Sequence, residues 1–431
     1  MKSSLALLAA LLVAVPAGAT EWHIYGARAM AMGGAATALA RGPIGSYWNP
    51  AGLGTMGNTV GFEIPVGGSY ELSGPVIEGA NDLNQVAKEC QASGGVPTSG
   101  CSQANIDSAL EKINRPGNGL RADLGFGFMT KIKRAAFFFN NMTYVGARPF
   151  ASVSASNTPG TVVNNQTKLT LRGINVSELG VGYGRELPFA PGLFAGGNLK
   201  MLVGRAGYNE FAVVSNDIGD GGGLSRFEDS YRQSTQPGVD AGLLWDIDKS
   251  WDKAAWRPRL GLVGRNLNSP RFKNPEVATR AGEGARFPLH GQVRAGAAIS
   301  PLRWWNFAAD VDLTRNTTPV DGVLSQQLGL GTEINVFNRE WINIPLRAGL
   351  SRNIADDSKT AFSLGGGLSL IHMTFDVAIH FSPESQTIQN VGESREVPNS
   401  FGFMAQLGFT FGGAPEKSSP KVSTEGGGSG R

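Results

Sequence analysis

The feature that most limits what this chain can become is a two-residue alternation of side chains, repeated in segment after segment from Val60 to Phe411. Successive side chains of a strand point to opposite faces, so each such segment carries one apolar and one polar face. In the last segment Phe401, Phe403, Ala405, Leu407, Phe409 and Phe411 share a face, opposite Gly402, Met404, Gln406, Gly408 and Thr410. In another, Met373, Phe375, Val377, Ile379 and Phe381 alternate with His372, Thr374, Asp376, Ala378 and His380. The pattern predicts about fourteen strands, near 60–72, 119–130, 134–150, 166–187, 193–214, 232–247, 257–268, 287–299, 303–315, 323–336, 342–352, 360–370, 372–382 and 399–411.

A soluble sandwich would alternate too. These segments, however, reach the roughly 9–11 residues that a tilted spanning strand needs. Their second face is rich in Gly, Ser, Thr and Asn. The apolar face begins or ends in an aromatic at Tyr70, Tyr144, Tyr183, Trp245, Trp305, Phe381 and Phe411, as interfacial girdles do. So many strands must close, because an open edge in lipid leaves backbone groups unpaired. The predicted fold is all-β: a transmembrane antiparallel β-barrel of about 14 strands, spanning 59–411, with a small N-terminal plug at 20–58.

The links alternate in length. Those near 131–133, 187–192, 300–302, 338–341 and 371 are tight, whereas 73–118, 151–165, 215–231, 269–286, 316–322, 353–359 and 383–398 are longer and polar. Short turns on one side and long loops on the other are the outer-membrane pattern, and they predict both termini on the periplasmic side. The turn 248–256 is the long exception on that side; its Trp251 and Trp256 suit the membrane interface. In the extracellular loop 73–118, Ser102 to Ile113 has a cap-like start and apolar residues at helical spacing, which predicts one short helix. That loop is either an ordinary surface excursion or a lid.

Lys2, the apolar run Leu5 to Val15 and Ala17-Gly18-Ala19 read as a signal peptide over 1–19. Export to an oxidising compartment predicts a Cys90–Cys101 disulfide, which by chain entropy is worth about 3 kcal/mol for so short a loop. Residues 412–431 are Gly, Ser, Lys, Glu and Pro without period, and read as a disordered periplasmic tail.

Several function classes fall away. A net charge of +3 with scattered basic residues makes no case for nucleic acid. The histidines are His23, His290, His372 and His380; no zinc spacing, phosphate loop or Gly-x-Ser-x-Gly elbow is present. No metal, no cofactor and no enzyme activity are expected.

Residues 20–58 lack the alternation. They contain Gly26-Ala27-Arg28-Ala29-Met30-Ala31-Met32-Gly33-Gly34 and then Ser46-Tyr47-Trp48-Asn49-Pro50-Ala51-Gly52-Leu53. Together these resemble the plug, with its Asn-Pro-Ala motif, of the FadL-type outer-membrane barrel family. Val176 to Tyr183, Leu199-Lys200-Met201 and Arg259 to Leu267 are similar to TraF-type proteins of plasmid-transfer operons; the Asn-Leu element and the plug also occur in PorV-like secretion barrels. The FadL-type resemblance implies an outer-membrane location, contact with outer-membrane lipid, and a hydrophobic small-molecule ligand, such as a long-chain fatty acid, passed through the barrel. The TraF-type resemblance implies instead a docking component with a periplasmic or transfer-apparatus protein as partner.

The plug and gate residues expected are Arg28, Trp48, Asn49, Pro50 and Ala51. Pro50 fixes one φ angle and the Asn49 amide can bond backbone groups inside the barrel, as an anchor or as a gate. The expected lumen face includes Glu63, Arg121, Asp123, Glu178, Lys200, Asp240, Arg294, Asp310, Asp312, Glu333, Arg347 and Asp376. In an open pore these would tune ion flow. In a plugged one they pair and hold the plug, which is the expectation here because buried charges need partners. Arg28 is the plug residue expected to meet an inward carboxylate.

Overall fold

The computed structural model describes residues 19–56, 59–115, 118–150, 157–212, 230–251, 254–320, 323–339, 341–355, 360–390 and 393–412. The expected leader up to residue 18 and the expected tail beyond Gly412 lie outside these residues.

Fourteen antiparallel strands close into one barrel. They are β1 (Val60–Ser73), β2 (Gly119–Ile132), β3 (Ala135–Phe150), β4 (Lys168–Glu186), β5 (Leu193–Ala212), β6 (Arg232–Asp246) and β7 (Arg259–Arg265). β8 (Gln292–Leu302), β9 (Trp305–Asp312), β10 (Gln327–Asn338), β11 (Ile342–Asn353), β12 (Thr360–Leu370), β13 (Met373–Phe381) and β14 (Ser400–Phe411) complete it. Each pairs with its sequence neighbour, and β14 closes on β1 with Val60 opposite Phe411. Closure leaves no edge, which is what a sheet in hydrocarbon requires. No helix among the described residues is long and apolar enough to cross a membrane.

The alternation sets which face is wet. In β14, Phe401, Phe403 and Phe411 are exposed to the outside while Met404 is buried within. Tyr144 departs from the expected girdle. It is buried in the lumen, edge-on to His23 with ring centroids 5.9 Å apart. Tyrosine has a polar end as well as an aromatic body, so its type alone does not choose between lipid and lumen.

The long loops gather at one rim. There the segment expected to hold one short helix holds two, α3 (Val76–Ala92) and α4 (Gln103–Ile113), which follow the short lumen helices α1 (Ala27–Ala31) and α2 (Gly45–Trp48) in the chain. Ser102 caps α4 by accepting from the Asn105 N–H, as its sequence suggests. The longer α3 was hidden because its apolar residues are spread among polar ones and its Pro75 cap makes no side-chain bond. Leu83, Val86, Ala87, Ile106, Ala109 and the Cys90–Cys101 disulfide form a small core of their own. Lys112 reaches Glu78 and Asp82, both at 2.7 Å, and ties the two helices together.

The N-terminal segment corrects one expectation. Ala19–Thr20 pairs in parallel with Asn316–Thr317, in a link at the long-loop rim. The chain therefore enters the lumen at that rim, not beside the short turns, and runs down to Thr59 and the start of β1 at the other end.

Candidate functional site

Residues 21–56 fill the lumen without joining its wall ladder. Two helices, α1 (Ala27–Ala31) and α2 (Gly45–Trp48), and a 3-10 turn at Pro50–Gly54 are the regular parts. Helices of 5 and 4 residues are too short to hold themselves together in isolation. Side chains of the wall grip them at three heights.

At the long-loop rim the Glu21 N–H donates to the Thr317 carbonyl (3.0 Å). The Glu21 carboxylate accepts from Arg121 (3.1 Å), which also meets Glu71 (2.6 Å). His23 Nδ1 lies 2.8 Å from Asp123, which accepts from Ser69 Oγ as well (2.6 Å).

In the middle, plug aromatics interleave with wall arginines. Trp22 stacks on Trp48 at 6.0 Å. The Arg294 guanidinium sits 4.7 Å from the Trp22 ring, and that of Arg265 sits 4.0 Å from the Tyr47 ring. Such contacts attract because the ring face is electron-rich, and burial strengthens them. Both cations are anchored in the wall, Arg294 by Asp312 (2.6 Å) and Arg265 by Glu178 (3.1 Å). Glu178 and Asp240 also hold Lys200, at 3.2 and 3.0 Å. Asn198 joins this cluster to the plug by donating to Asp240 (2.9 Å) and to the Ser46 carbonyl (2.7 Å).

Nearer the short turns, Arg28 donates twice to Glu333, from Nε (2.9 Å) and Nη2 (2.8 Å). Glu333 also accepts from Arg347 (2.7 Å), which continues to Asp376 (2.5 Å). Asp310 accepts from the Ala36 and Thr37 N–H groups (3.0 and 2.8 Å), and Glu63 accepts from the Ile44 N–H (2.7 Å).

Asn49 uses both ends of its amide. Nδ2 donates to the Leu243 carbonyl of β6 (2.9 Å) and to Thr37 of the plug (3.2 Å), while Oδ1 accepts from the Ala51 N–H (3.1 Å) and caps the 3-10 turn. Pro50 follows at the first position of that turn, where a missing N–H is harmless. Ala51 packs on Phe194 and Leu244. Trp48 is buried and donates from Nε1 to the Tyr25 carbonyl (2.6 Å).

The abundance of glycine finds its reason here. A Cβ on Gly196 would lie 2.4 Å from the Pro50 carbonyl carbon, and one on Gly349 would lie 2.2 Å from the Gly33 nitrogen. At these positions the wall presents bare backbone to the plug backbone. Gly33 itself has φ +65 and no room for a side chain, so it meets both needs at once.

Every lumen residue expected from sequence has a polar partner, on the plug or across the wall. Glu21, Trp22, His23, Tyr47 and Arg265 are not among the site residues expected from sequence, although Tyr47 lies in the plug motif and Arg265 in the Arg259 to Leu267 element. Arg265 was available from phase, since it shares a face with the inward Gly261 and Val263 of β7. The plug residues were not, because a segment without period offers no face to read. Among the described residues no group of three His, Cys, Asp or Glu side chains could hold a metal ion.

Two chambers flank the plug. One of about 270 Å³ opens near the long-loop rim, between Trp22, Ile24, Met30, Tyr144 and the charged Arg121 and Asp123. The other, of about 300 Å³, lies below between Arg28, Ile44, Glu63 and Asp376. The wall beside the plug also has a seam. The β1–β2 ladder passes from the Glu63–Met129 pair to the Val66–Phe126 pair and skips Ile64 and Pro65. Proline has no N–H to give a ladder. On β2 that region carries Gly125 and Gly127, against which Tyr25 rests.

The family described as "F plasmid transfer operon, TraF, protein" matches residues 46–312. No curated protein sequence matches. Among solved structures the chain is similar to the Pseudomonas putida toluene transporter TodX, at 13% identity over 91% of this chain and 98% of that one, with a TM-score of 0.45. It is also similar to the Ralstonia pickettii toluene transporter TbuX, at 13% identity over 89% and 97%, TM-score 0.45. A third is a Pseudomonas aeruginosa FadL homologue, at 12% identity over 92% and 98%, TM-score 0.43.

Proposed function

The chain belongs to the family of TraF proteins of the F plasmid transfer operon, and from that premise we propose that it is an outer-membrane channel for small hydrophobic molecules, gated by its N-terminal plug. The observation that carries this reading is the way the plug is held. Its polar ties to the wall are separate contacts at three heights, set beside apolar packing of Trp22, Tyr25 and Met30 on Met129, Phe138 and Met404, and a chamber lies on either side.

A ligand entering the upper chamber meets the rings of Trp22 and Tyr144 and the side chain of Met30. It also meets a donor: Trp22 Nε1 has no hydrogen-bond partner among the described residues. An apolar molecule with a carboxylate, such as a fatty acid, finds both chemistries there. The volume sits at the lower end of small-molecule pockets, about 300 Å³, and so suits one end of a long chain or a compact ring. A ligand that binds the released plug better than the seated one shifts the population toward release. The seam at Ile64 and Pro65 is the lateral way out, and the lumen axis is the alternative.

The second reading is a docking component of a transfer apparatus. It is favoured by the family's own description, and it requires that the lumen stay shut.

Uptake of a fluorescent long-chain fatty acid, and of a monoaromatic dye, into liposomes holding the refolded protein tests the choice. Native protein is compared with Asn49→Ala and with a deletion of residues 20–58. Saturable uptake by the native form that turns into unsaturable leak on deletion is expected. No uptake by a barrel shown to be inserted would reject transport and leave the docking role.

A further inference from the structure

The outer wall is not evenly convex. On the outward face of β8, β9, β10 and β11 lies a groove of about 600 Å³, floored by Ala297, Ala309 and Ala348 and flanked by Phe307, Leu330 and Phe362. Alanines where the neighbouring sectors carry Leu, Val and Phe make the hollow. A groove alone would accept any acyl chain, and the short-turn end of the same sector narrows the choice.

Three turns in a row there each place a tryptophan with an arginine: Trp256 with Arg257, Trp304 with Arg303, and Trp341 with Arg339. The three tryptophans are 61%, 44% and 59% exposed. Their backbones are nonetheless fixed. The Trp256 carbonyl accepts from the Ser300 N–H (2.6 Å), that of Trp304 from Asn335 (2.8 Å) and that of Trp341 from Ile371 (3.1 Å), so each turn is pinned by the next hairpin. Trp256 and Arg257 have φ of 64 and 46, two successive left-handed residues that each carry a Cβ. Asn-Gly would meet that conformation with less strain, and the pair found here presents an indole and a guanidinium instead. Trp304 stacks on Trp305 at 6.0 Å, and Trp305 donates from Nε1 to Thr332 Oγ1 on the groove side (2.8 Å). Phe307 lies about 10 Å along the strand from Trp304, so the groove begins one short step from that turn. Across the rim, the β2–β3 turn has Lys133 and Arg134 without an aromatic.

We propose that this sector binds an anionic glycerophospholipid of the periplasmic leaflet. One acyl chain lies in the groove, the glycerol region rests beside Trp304 and Trp341, and the phosphate lies between Arg303 and Arg339, whose turns are two strands, about 10 Å, apart. Guanidinium groups suit phosphate oxygens geometrically, and indole rings prefer the headgroup level. The site uses no plug residue, so it stands or falls apart from the uptake reading.

Native mass spectrometry of the full chain with phosphatidylglycerol or phosphatidylcholine of equal chain length tests it. One phosphatidylglycerol per barrel is expected to survive detergent, with at least tenfold preference over phosphatidylcholine. Arg303→Gln and Arg339→Gln each lower its retention about fivefold. Ala309→Phe fills the groove and lowers retention of both lipids; Ala348→Leu repeats the test should that variant not insert. Equal retention of the two lipids, or retention unchanged by the filled groove, overturns the proposal. A dimer that disappears in Ala309→Phe would show that a second copy occupies the groove, and would overturn it as well.

Discussion

Replacing Glu333 by Gln separates the plug from the barrel more cleanly than any other single change. The carboxylate is 6% exposed and accepts two hydrogen bonds from Arg28 of the plug and one each from Arg347 and Asn306 of the wall. The amide keeps the size and loses the charge. On the wall, Arg347 keeps Asp376 and the fourteen-strand ladder is untouched. On the plug, Arg28 loses its charged partner. Hydrogen bonds to charged groups are worth about 1.5–3 kcal/mol each in favourable settings. The Arg28 side chain is 37% exposed, so water recovers part of that. A net loss of about 1–2 kcal/mol remains after screening, which is about five- to thirtyfold in the equilibrium for local release of the plug. Hydrogen exchange followed by mass spectrometry reads it directly. Amides of Met30, Met32 and Gly33, which bond within the α1 region, should exchange faster by that factor, while β10 and β11 keep native rates. Arg28→Gln should give the same acceleration, and the double variant little more, because both remove one interaction. Equal exchange in native and Glu333→Gln protein would refute the view that polar ties set the seating of the plug. Acceleration spread over the wall strands would refute it too, since the change would then have loosened the barrel.

Asn49→Ala leaves the Leu243 carbonyl and the Ala51 N–H without their partner, and should cost about 1–3 kcal/mol locally, seen as faster exchange over 49–54 with barrel melting unchanged. Gly196→Val puts a branched side chain where Pro50 lies; the barrel should fold, and protease should cut the plug that the native form protects. Reducing Cys90–Cys101 should remove about 3 kcal/mol from the α3–α4 pair alone, measured as proteolysis of residues 76–113 without loss of the folded barrel band on a gel. Hydrogen bonds that the Lys112 ammonium donates to Asp82 and Glu78 hold its pKa above the usual 10.5. A raised base contributes below its unfolded value and is lost as pH rises through the folded one, so protection of α3–α4 should be constant from pH 7 to pH 9 and fall only in stronger alkali.

Much of the wall was legible in the chain because a spanning strand must obey one rule along its whole length. Lipid demands an apolar side chain at every second position, and a single slip would turn a whole strand inside out. The ends of β1, β11, β12 and β14 accordingly fall within a residue or two of the alternation. Where two environments accept one residue type, the pattern gave no answer: Tyr144 was read as girdle and stands in the lumen. The α3 helix carries its apolar contacts to a local core that exists only after the Cys90 and Cys101 ends meet, and so left little trace in advance.

The plug shows the other limit. Its composition, small residues around Asn49-Pro50-Ala51, already marked it as something other than wall. Which rim it enters, which carboxylate takes Arg28, and that Arg265 and Arg294 close on Tyr47 and Trp22, were decided by the closed barrel. Those contacts join residues far apart along the chain, through partners on different strands, and no periodicity encodes them. Alternation determines a strand because lipid imposes it locally. The ties of the plug depend on distances across a lumen that does not exist until β14 has met β1.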